Sequence, residues 1–346
     1  MRPSSVTVGT SVGDLRRQSP LLLSFLVVLV VGSAMSGCVS IAEHAKPASL
    51  LLFNAHAHLN RDLTAEMLIK WMDQAGVRKM VLMPRHYNDD GWASDEQAAE
   101  YAKQYPDRFI AFIGGQRGDL WGQFAWTRDH YFLWAAEQKL KSGQYRGLGE
   151  FIIHHYGYNR LVPTTHQHIS GDLELPVDSY LMFKIVDLAA KYDVPVVIHA
   201  EAEAETSDQM RRLLEKSPRT RIVWAHNCGR APASQITEFL KTYPNLFCDL
   251  GGMVHSHGYG RGWPAGRSNH ISVVQYPDGG VNRRMRDLFE AFPDRFVIGT
   301  DIAHPFQYPL HGDMIDAFRQ LLSQLRPEPA RKIGYENAER LFQSRK

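Results

Sequence analysis

The run Val194-Pro195-Val196-Val197-Ile198-His199 is followed, after an amphipathic segment from Thr206 to Glu215, by Arg221-Ile222-Val223-Trp224-Ala225-His226. Two short apolar runs rich in β-branched residues, separated by one segment of helical period, read as parallel strands buried on both faces and joined by a helix. Both runs close on a histidine. A strand with two apolar faces has no packing need for an imidazole at its C-terminal end, so the repeat points to chemistry at that end.

The same alternation extends in both directions. Strands are expected at Leu50 to Asn54, Lys79 to Met83, Phe109 to Gly114, Gly147 to Ile152, Val194 to His199, Arg221 to Ala225, Leu246 to Asp249 and Phe296 to Gly299. Helices are expected at Thr64 to Gln74, Asp95 to Gln104, Arg128 to Lys141, Asp178 to Lys191, Thr206 to Glu215, Ala233 to Thr242 and Val281 to Ala291. Pro106, Pro218, Pro244 and Pro293 each stop a helix just before a strand. Eight β-then-α units specify an α/β fold, a single (β/α)8 barrel, with long loops after strand four (Ile153 to Val177) and strand seven (Gly251 to Gly280). An open doubly wound sheet is the alternative, but the chain lacks a glycine-rich phosphate loop after its first strand.

A closed barrel gathers its strand ends at one mouth, which is where barrel enzymes keep their active sites. Strand one ends Phe53-Asn54-Ala55-His56-Ala57-His58, with two imidazoles spaced to share one face of an extended chain. Strand four ends Gly147-Leu148-Gly149-Glu150 and strand eight ends Val297-Ile298-Gly299-Thr300-Asp301. Together with His199 and His226, these are metal-type residues at five strand ends.

This pattern resembles the amidohydrolase superfamily of metal-dependent hydrolases, in particular its branch of aminocarboxymuconate-semialdehyde decarboxylase, resorcylate decarboxylases and pyrone-dicarboxylate lactonase. His226-Asn227-Cys228-Gly229 is similar to the branch's His-x-Gly-Gly, and Asn337-Ala338-Glu339-Arg340-Leu341-Phe342 to its terminal helix. The resemblance implies that His56, His58 and His199 are metal ligands and that Asp301 is a ligand that also handles a proton. It implies that His226 is either a second-metal ligand or the group that activates water or polarises the substrate. Glu150 stands where binuclear relatives carry a carboxylated lysine or a bridging glutamate, and Gly-Leu-Gly-Glu also resembles a segment of TatD-like nucleases. A bridging ligand is expected there, the alternative being an acid that hydrogen-bonds a loop or a ligand histidine. The implied cofactor is a divalent metal, one or two ions, with Zn the default and Mn, Fe or Co open.

Substrate contacts are expected from Arg85, Arg117 and His154, since arginine at a barrel mouth can clamp a carboxylate or phosphate and either His154 or its neighbour His155, close after Glu150, could line the pocket. The alternative for the arginines is pairing with Asp89, Asp90 or Asp119. His255, His257, Tyr259, Arg261, Trp263 and Arg267 give the second long loop the composition of a lid, and His304 is a minor candidate. Trp121, Trp126 and Trp134 read as packing.

Ahead of the barrel, Arg2, Arg16 and Arg17 precede an apolar run from Leu21 to Val31 and then Ser33-Ala34-Met35-Ser36-Gly37-Cys38. This resembles a lipoprotein signal and implies cleavage before Cys38, lipidation of that cysteine and a membrane held by lipid anchor only. An ordinary cleaved signal peptide is the alternative. The expected organisation is a signal peptide at 1–37, a tether at 38–49 and the barrel domain at 50–346, on the periplasmic or extracellular side of a bacterial cell envelope. Removing the leader from 39 basic and 37 acidic residues leaves the two signs equal, which argues against a nucleic-acid partner. Cys228 and Cys248 could form one disulfide or remain buried thiols.

The function expected from these residues is hydrolysis of a small ester, lactone or amide by metal-activated water. The alternatives are metal-dependent non-oxidative decarboxylation, TatD-like phosphodiester hydrolysis, and a silent envelope binding module.

Overall fold

All eight expected strands form, as β1 (Leu52–Asn54), β2 (Val77–His86), β3 (Phe109–Ala111), β4 (Leu148–His155), β5 (Val196–Ala200), β6 (Ile222–Trp224), β7 (Leu246–Asp249) and β8 (Phe296–Val297). The computed structural model describes residues 50–86, 94–117, 130–155, 173–254, 273–275, 280–303 and 305–343. The signal peptide with Cys38, the tether, Asp89, Asp90, Asp119, Trp121, Trp126, the six lid residues from His255 to Arg267 and His304 lie outside the described residues. Arg85, His86, Gln116, Arg117, His130 and Gln275 are described by their backbone.

The fold is a (β/α)8 barrel. β1, β2 and β3 pair in parallel, as do β4 through β8 in chain order. Backbone bonds stitch the two arcs together. Ile113 N–H donates to Gly147 O at 3.0 Å and Gly149 N–H to Ile113 O at 2.9 Å, joining β3 to β4. Ala55 N–H donates to Ile298 O at 2.9 Å, Asp301 N–H to His56 O at 2.8 Å and His58 N–H to Ile302 O at 2.9 Å, joining β1 to β8. The second seam lies at the two metal-type strand ends.

The helices are α1 (Ala65–Ala75), α2 (Asp95–Gln104), α3 (His130–Lys141), α4 (Tyr180–Tyr192), α5 (Ala204–Lys216), α6 (Ala233–Thr242), α7 (Arg283–Ala291) and α8 (His311–Ser323), followed by α9 (Pro327–Arg331) and α10 (Asn337–Phe342). Local chemistry sets their ends. Thr64, Ser94 and Ser179 each accept an N–H from the first turn of α1, α2 and α4, and Gly76 takes the left-handed conformation, φ 65°, that closes α1. α8 was not among the expected helices, although its buried Met314, Ile315, Phe318, Leu321 and Leu322 repeat at helical spacing. Trp134, expected to pack, is instead 55% exposed beside Tyr131.

Two apolar layers result, one between sheet and helices and one inside the barrel. The inner layer holds Phe53, Val81, Ile110, Phe112, Val197, Val223 and Val297 from the strands together with Ala338, Leu341 and Phe342 from α10. The Phe342 ring lies 5.9 Å from that of Phe53 and 5.4 Å from that of Phe112, so α10 supplies the floor beneath the mouth. Residues alternate along a strand, and with Val197 inside the barrel His199 and Glu201 fall on the same inward row.

Cys228 and Cys248 are joined in a disulfide that ties the segment after β6 to β7. Closing the intervening loop of 20 residues stabilises the chain by about 3 kcal/mol through the unfolded state. The double variant Cys228→Ala/Cys248→Ala is expected to lose about that much in denaturant unfolding, whereas a loss below about 1 kcal/mol would contradict a constraining bridge.

Candidate metal centre

His56 reaches the barrel mouth because β1 and β8 are lashed together just below it. Asn54 Oδ1 accepts the Thr300 N–H at 3.0 Å and Asn54 Nδ2 donates to Thr300 Oγ1 at 2.8 Å. The His56 side chain lies in a slot with glycine on both sides. A Cβ at Gly299 would stand 2.3 Å from the His56 Cβ, and one at Gly251 would stand 2.9 Å from its Nδ1. His56 Nδ1 meets Asp249 Oδ2 at 3.1 Å, which turns Nε2 toward the barrel axis.

There His56 Nε2 faces His58 Nε2 at 3.3 Å, Asp301 Oδ1 at 3.5 Å and Glu150 Oε1 at 3.7 Å. His58 Nε2 lies 3.4 Å from both Glu150 Oε2 and Asp301 Oδ1. Across Glu150, His199 Nδ1 stands 3.1 Å and His226 Nε2 3.2 Å from Oε1, and these two ring nitrogens are 2.7 Å apart. Two donor sets therefore share one carboxylate: His56, His58, Glu150 and Asp301 in the first, and Glu150, His199 and His226 in the second, with the ligand atoms of each set within 4.8 Å of one another. Imidazole nitrogens this close repel unless a proton or a cation lies between them. Buried nitrogen and oxygen donors converging from four directions fit a divalent ion.

Charge follows the same geometry. Burial works against protonated His56, but the carboxylates of Asp249 and Glu150 outweigh it and lift its pKa well above the usual imidazole value. His199 is likewise opposed by burial and raised by Glu150 and Glu201, to about 9. Burial disfavours ionised Glu150, and the surrounding imidazoles more than offset this, holding it well below the ordinary carboxylate range. Asp301 is lowered in the same way, against its burial, by His58, His56 and His226. His226 moves the other way, pushed down by burial and by the positive charges of Arg230 and His199. Its Nδ1–H donates to Gly251 O at 2.8 Å, which leaves Nε2 as the lone-pair nitrogen facing Glu150.

The backbone at two of these residues is held in the left-handed region. His226, Asn227, Cys228, Gly229 and Arg230 run consecutively at φ 54° to 70°, and Asp301 sits at φ 54°. Each non-glycine residue there costs roughly 1–2 kcal/mol, so surrounding contacts must over-determine the turn. Asp249 Oδ1 accepts the His226 N–H at 3.3 Å and the Gly251 N–H at 2.8 Å, and the Cys228–Cys248 bridge closes the same turn.

The structure thus brings together His56, His58, Glu150, His199, His226 and Asp301. His154, expected at the substrate, is placed elsewhere. Its Nδ1 lies 2.7 Å from Thr206 Oγ1 on α5, while the neighbouring His155, on the opposite face of β4, puts Nδ1 3.1 Å from His199 Nε2. Arg85 and Arg117 sit on adjacent strand ends, with Arg85 paired to Gln116 and His86 to Arg117 in parallel register, and their side chains lie outside the described residues. Sequence reasoning missed Asp249, Glu201 and Arg230, and it left His155 level with His154 as a residue that could line the pocket. The strand-end rule that found His199 would have found Asp249 at the end of β7.

Residues 53–343 match the family model described as Amidohydrolase, so the chain belongs to the amidohydrolase family and is an enzyme. No curated protein matches the chain. Among solved structures it is similar to an uncharacterised TIM-barrel protein from Bordetella bronchiseptica, at 15% identity over 84% of this chain and 97% of that one, TM-score 0.53. It is also similar to a dihydroxybenzoic acid decarboxylase from Polaromonas, bound to manganese and 2-nitroresorcinol, at 16% identity over 85% and 96% of the two chains, TM-score 0.50.

A coordinating imidazole must be neutral, so His199, raised to about 9 by Glu150 and Glu201, would have to give up its proton to hold an ion. Below pH 9, uptake of Zn(II) is expected to release protons, and affinity is expected to rise with pH from 6 to 9. Calorimetry in buffers of different ionisation enthalpy checks this, and pH-independent affinity between 6 and 9 would contradict it.

Proposed function

We propose that this member of the amidohydrolase family is a metal-dependent hydrolase of a small ester, lactone or amide. The observation that carries the reading is Glu150, one buried carboxylate shared by two histidine-containing donor sets. A divalent ion held by His56, His58, Glu150, His199 and Asp301, or a pair of ions that also engages His226, would supply a Lewis acid and a water of lowered pKa. Zn(II) is the first choice for nitrogen and oxygen donors of this kind.

The protein's own groups divide the remaining work. Asp301 has the most open carboxylate of the cluster, its side chain 26% exposed against 2% for Glu150 and Asp249, and so can take a proton from water and pass it to a leaving group. His226, fixed by Gly251 O in one tautomer, keeps a lone pair on Nε2 and so can engage a second ion or take a proton from the attacking water. Asp249 orients His56 and anchors the turn that carries His226. The apolar layer over α10 closes the site from below.

Decarboxylation of a small carboxylated substrate is the second reading. It draws on Arg85 and Arg117, side by side at the mouth by backbone register, as a carboxylate clamp, and on the decarboxylase activity named for the Polaromonas neighbour. Equal numbers of basic and acidic residues after the leader give no support to a phosphodiester substrate. The complete donor set gives none to a silent binding module. Lipid anchoring at Cys38 on the outer side of a bacterial membrane remains part of the proposal, supported by the leader and by a disulfide of the kind that persists in oxidising compartments.

Metal analysis of the purified protein and turnover of a panel of small esters, lactones, amides and aromatic carboxylates in oxygen-labelled water, with the label read in the organic product, test the reading. Expected are bound metal, label incorporated into product, and a loss of about 100- to 10,000-fold in kcat for Asp301→Asn. Carbon dioxide release without label uptake would select decarboxylation. Full activity in metal-free protein would overturn both.

A further inference from the structure

A third group of donor atoms, from His155, His199 and Glu201, lies next to the two sets that share Glu150. By composition it could hold another cation, but its surroundings oppose one. Arg230, 3% exposed, is ion-paired through Nη1 to Glu201 Oε1, and Glu201 is itself 1% exposed. A guanidinium fixed on the carboxylate in a region of low dielectric repels a second positive charge at that distance.

We propose instead that Glu201 and Arg230 are positioning residues that decide which ring nitrogen of His199 binds metal. This rests on the reading that Glu150, His199 and His226 hold a cation. An imidazole has two nitrogens, and the partner of one sets the protonation and orientation of the other. His199 directs Nδ1 at Glu150 and His226 and directs Nε2 at Glu201 Oε1, 3.3 Å away, with His155 Nδ1 at 3.1 Å on the same side. A carboxylate at Nε2 accepts that nitrogen's proton and leaves Nδ1 with the lone pair. Arg230 in turn stops the Glu201 carboxylate from rotating away.

The placement along the chain gives the pair a second task. Glu201 follows His199 by two residues on the inward row after β5, and Arg230 is the last residue of the left-handed turn that begins at His226. The ion pair therefore joins the two segments that carry the ligands of the second set. Backbone and indole contacts run in parallel with it: Ala202 N–H donates to Gly229 O at 3.0 Å, and Trp224 Nε1–H donates to Ala200 O at 2.6 Å. Because those contacts hold the segments together without the charges, loss of the pair should register at the metal before it registers in the fold.

The test uses purified protein stripped of metal and titrated with Zn(II) against a chromophoric chelator. Co(II) absorption reports the ligand field, and long-range proton–nitrogen spectra of histidine-labelled Zn(II) protein report the tautomer. Removing one partner alone would strand a buried charge, so both are replaced together. Glu201→Leu/Arg230→Met keeps volume and removes the acceptor, whereas Glu201→Gln/Arg230→Met restores a neutral acceptor. The leucine double variant is expected to bind Zn(II) at the second set about 10- to 100-fold more weakly, with an altered Co(II) spectrum. The glutamine double variant is expected to recover most of that loss, and wild-type His199 to be Nδ1-bound with a proton on Nε2. Affinities within twofold of wild type in both variants, or an Nε2-bound His199 in the wild type, would overturn the proposal. The tautomer measurement decides the matter even if neither variant folds. Failure of the wild type to bind Zn(II) at all would instead remove the metal reading on which this inference stands.

Discussion

A carboxylate that is 3% exposed inside a protein is costly unless its charge is matched, and Glu150 is matched from several sides at once. Four imidazoles from β1, β5 and β6 converge on it, and Asp301 from β8 completes the ring. β4, β5 and β6 meet as neighbouring strands of the sheet, whereas β1 and β8 face them across the mouth. What forces them together is closure of the barrel, and the hydrogen bonds of one closing seam, Asp301 N–H to His56 O and His58 N–H to Ile302 O, involve three of the candidate ligands themselves. Barrel and site are in this sense one construction, since the last joint of the sheet is also the first joint of the candidate metal centre.

Around this centre sits a layer of groups that fix angles. Asp249 holds His56 and the amide of His226, Gly251 O holds the His226 ring, and the slot between Gly251 and Gly299 leaves His56 nowhere else to go. The left-handed turn from His226 to Arg230 is the strained part of the arrangement, and it is restrained by a disulfide, a carboxylate and an ion pair at three different points. Strain that is so heavily restrained keeps His226 from relaxing away from Glu150 and His199.

The strands and the six central residues were legible in the sequence because each lies at the end of an apolar run, where a polar residue breaks a pattern. His154 and His155 could not be told apart in that way. They are neighbours near the end of one strand, and only the pairing of β4 with β5 decides which of them meets His199. Glu201 and Arg230 were hidden for a different reason. They sit past the strand ends in stretches that read as ordinary charged loop, and a buried ion pair between residues from two segments leaves no periodic trace in either. The disulfide was readable as one of two options, and the approach of β6 and β7 selected it.

The floor of the barrel also bears on how the chain acquires its structure. Phe53 lies in β1 and Phe342 ends α10, yet their rings meet. The inner face of the first strand therefore stays open to water until nearly the whole barrel has been assembled around it. A topology with contacts this distant in sequence pays its loop-closure entropy early and is repaid late, which predisposes it to slow, cooperative folding. Until α10 arrives, no partial stretch of barrel can cover that inner face, so the two ends of the chain are committed to the fold together.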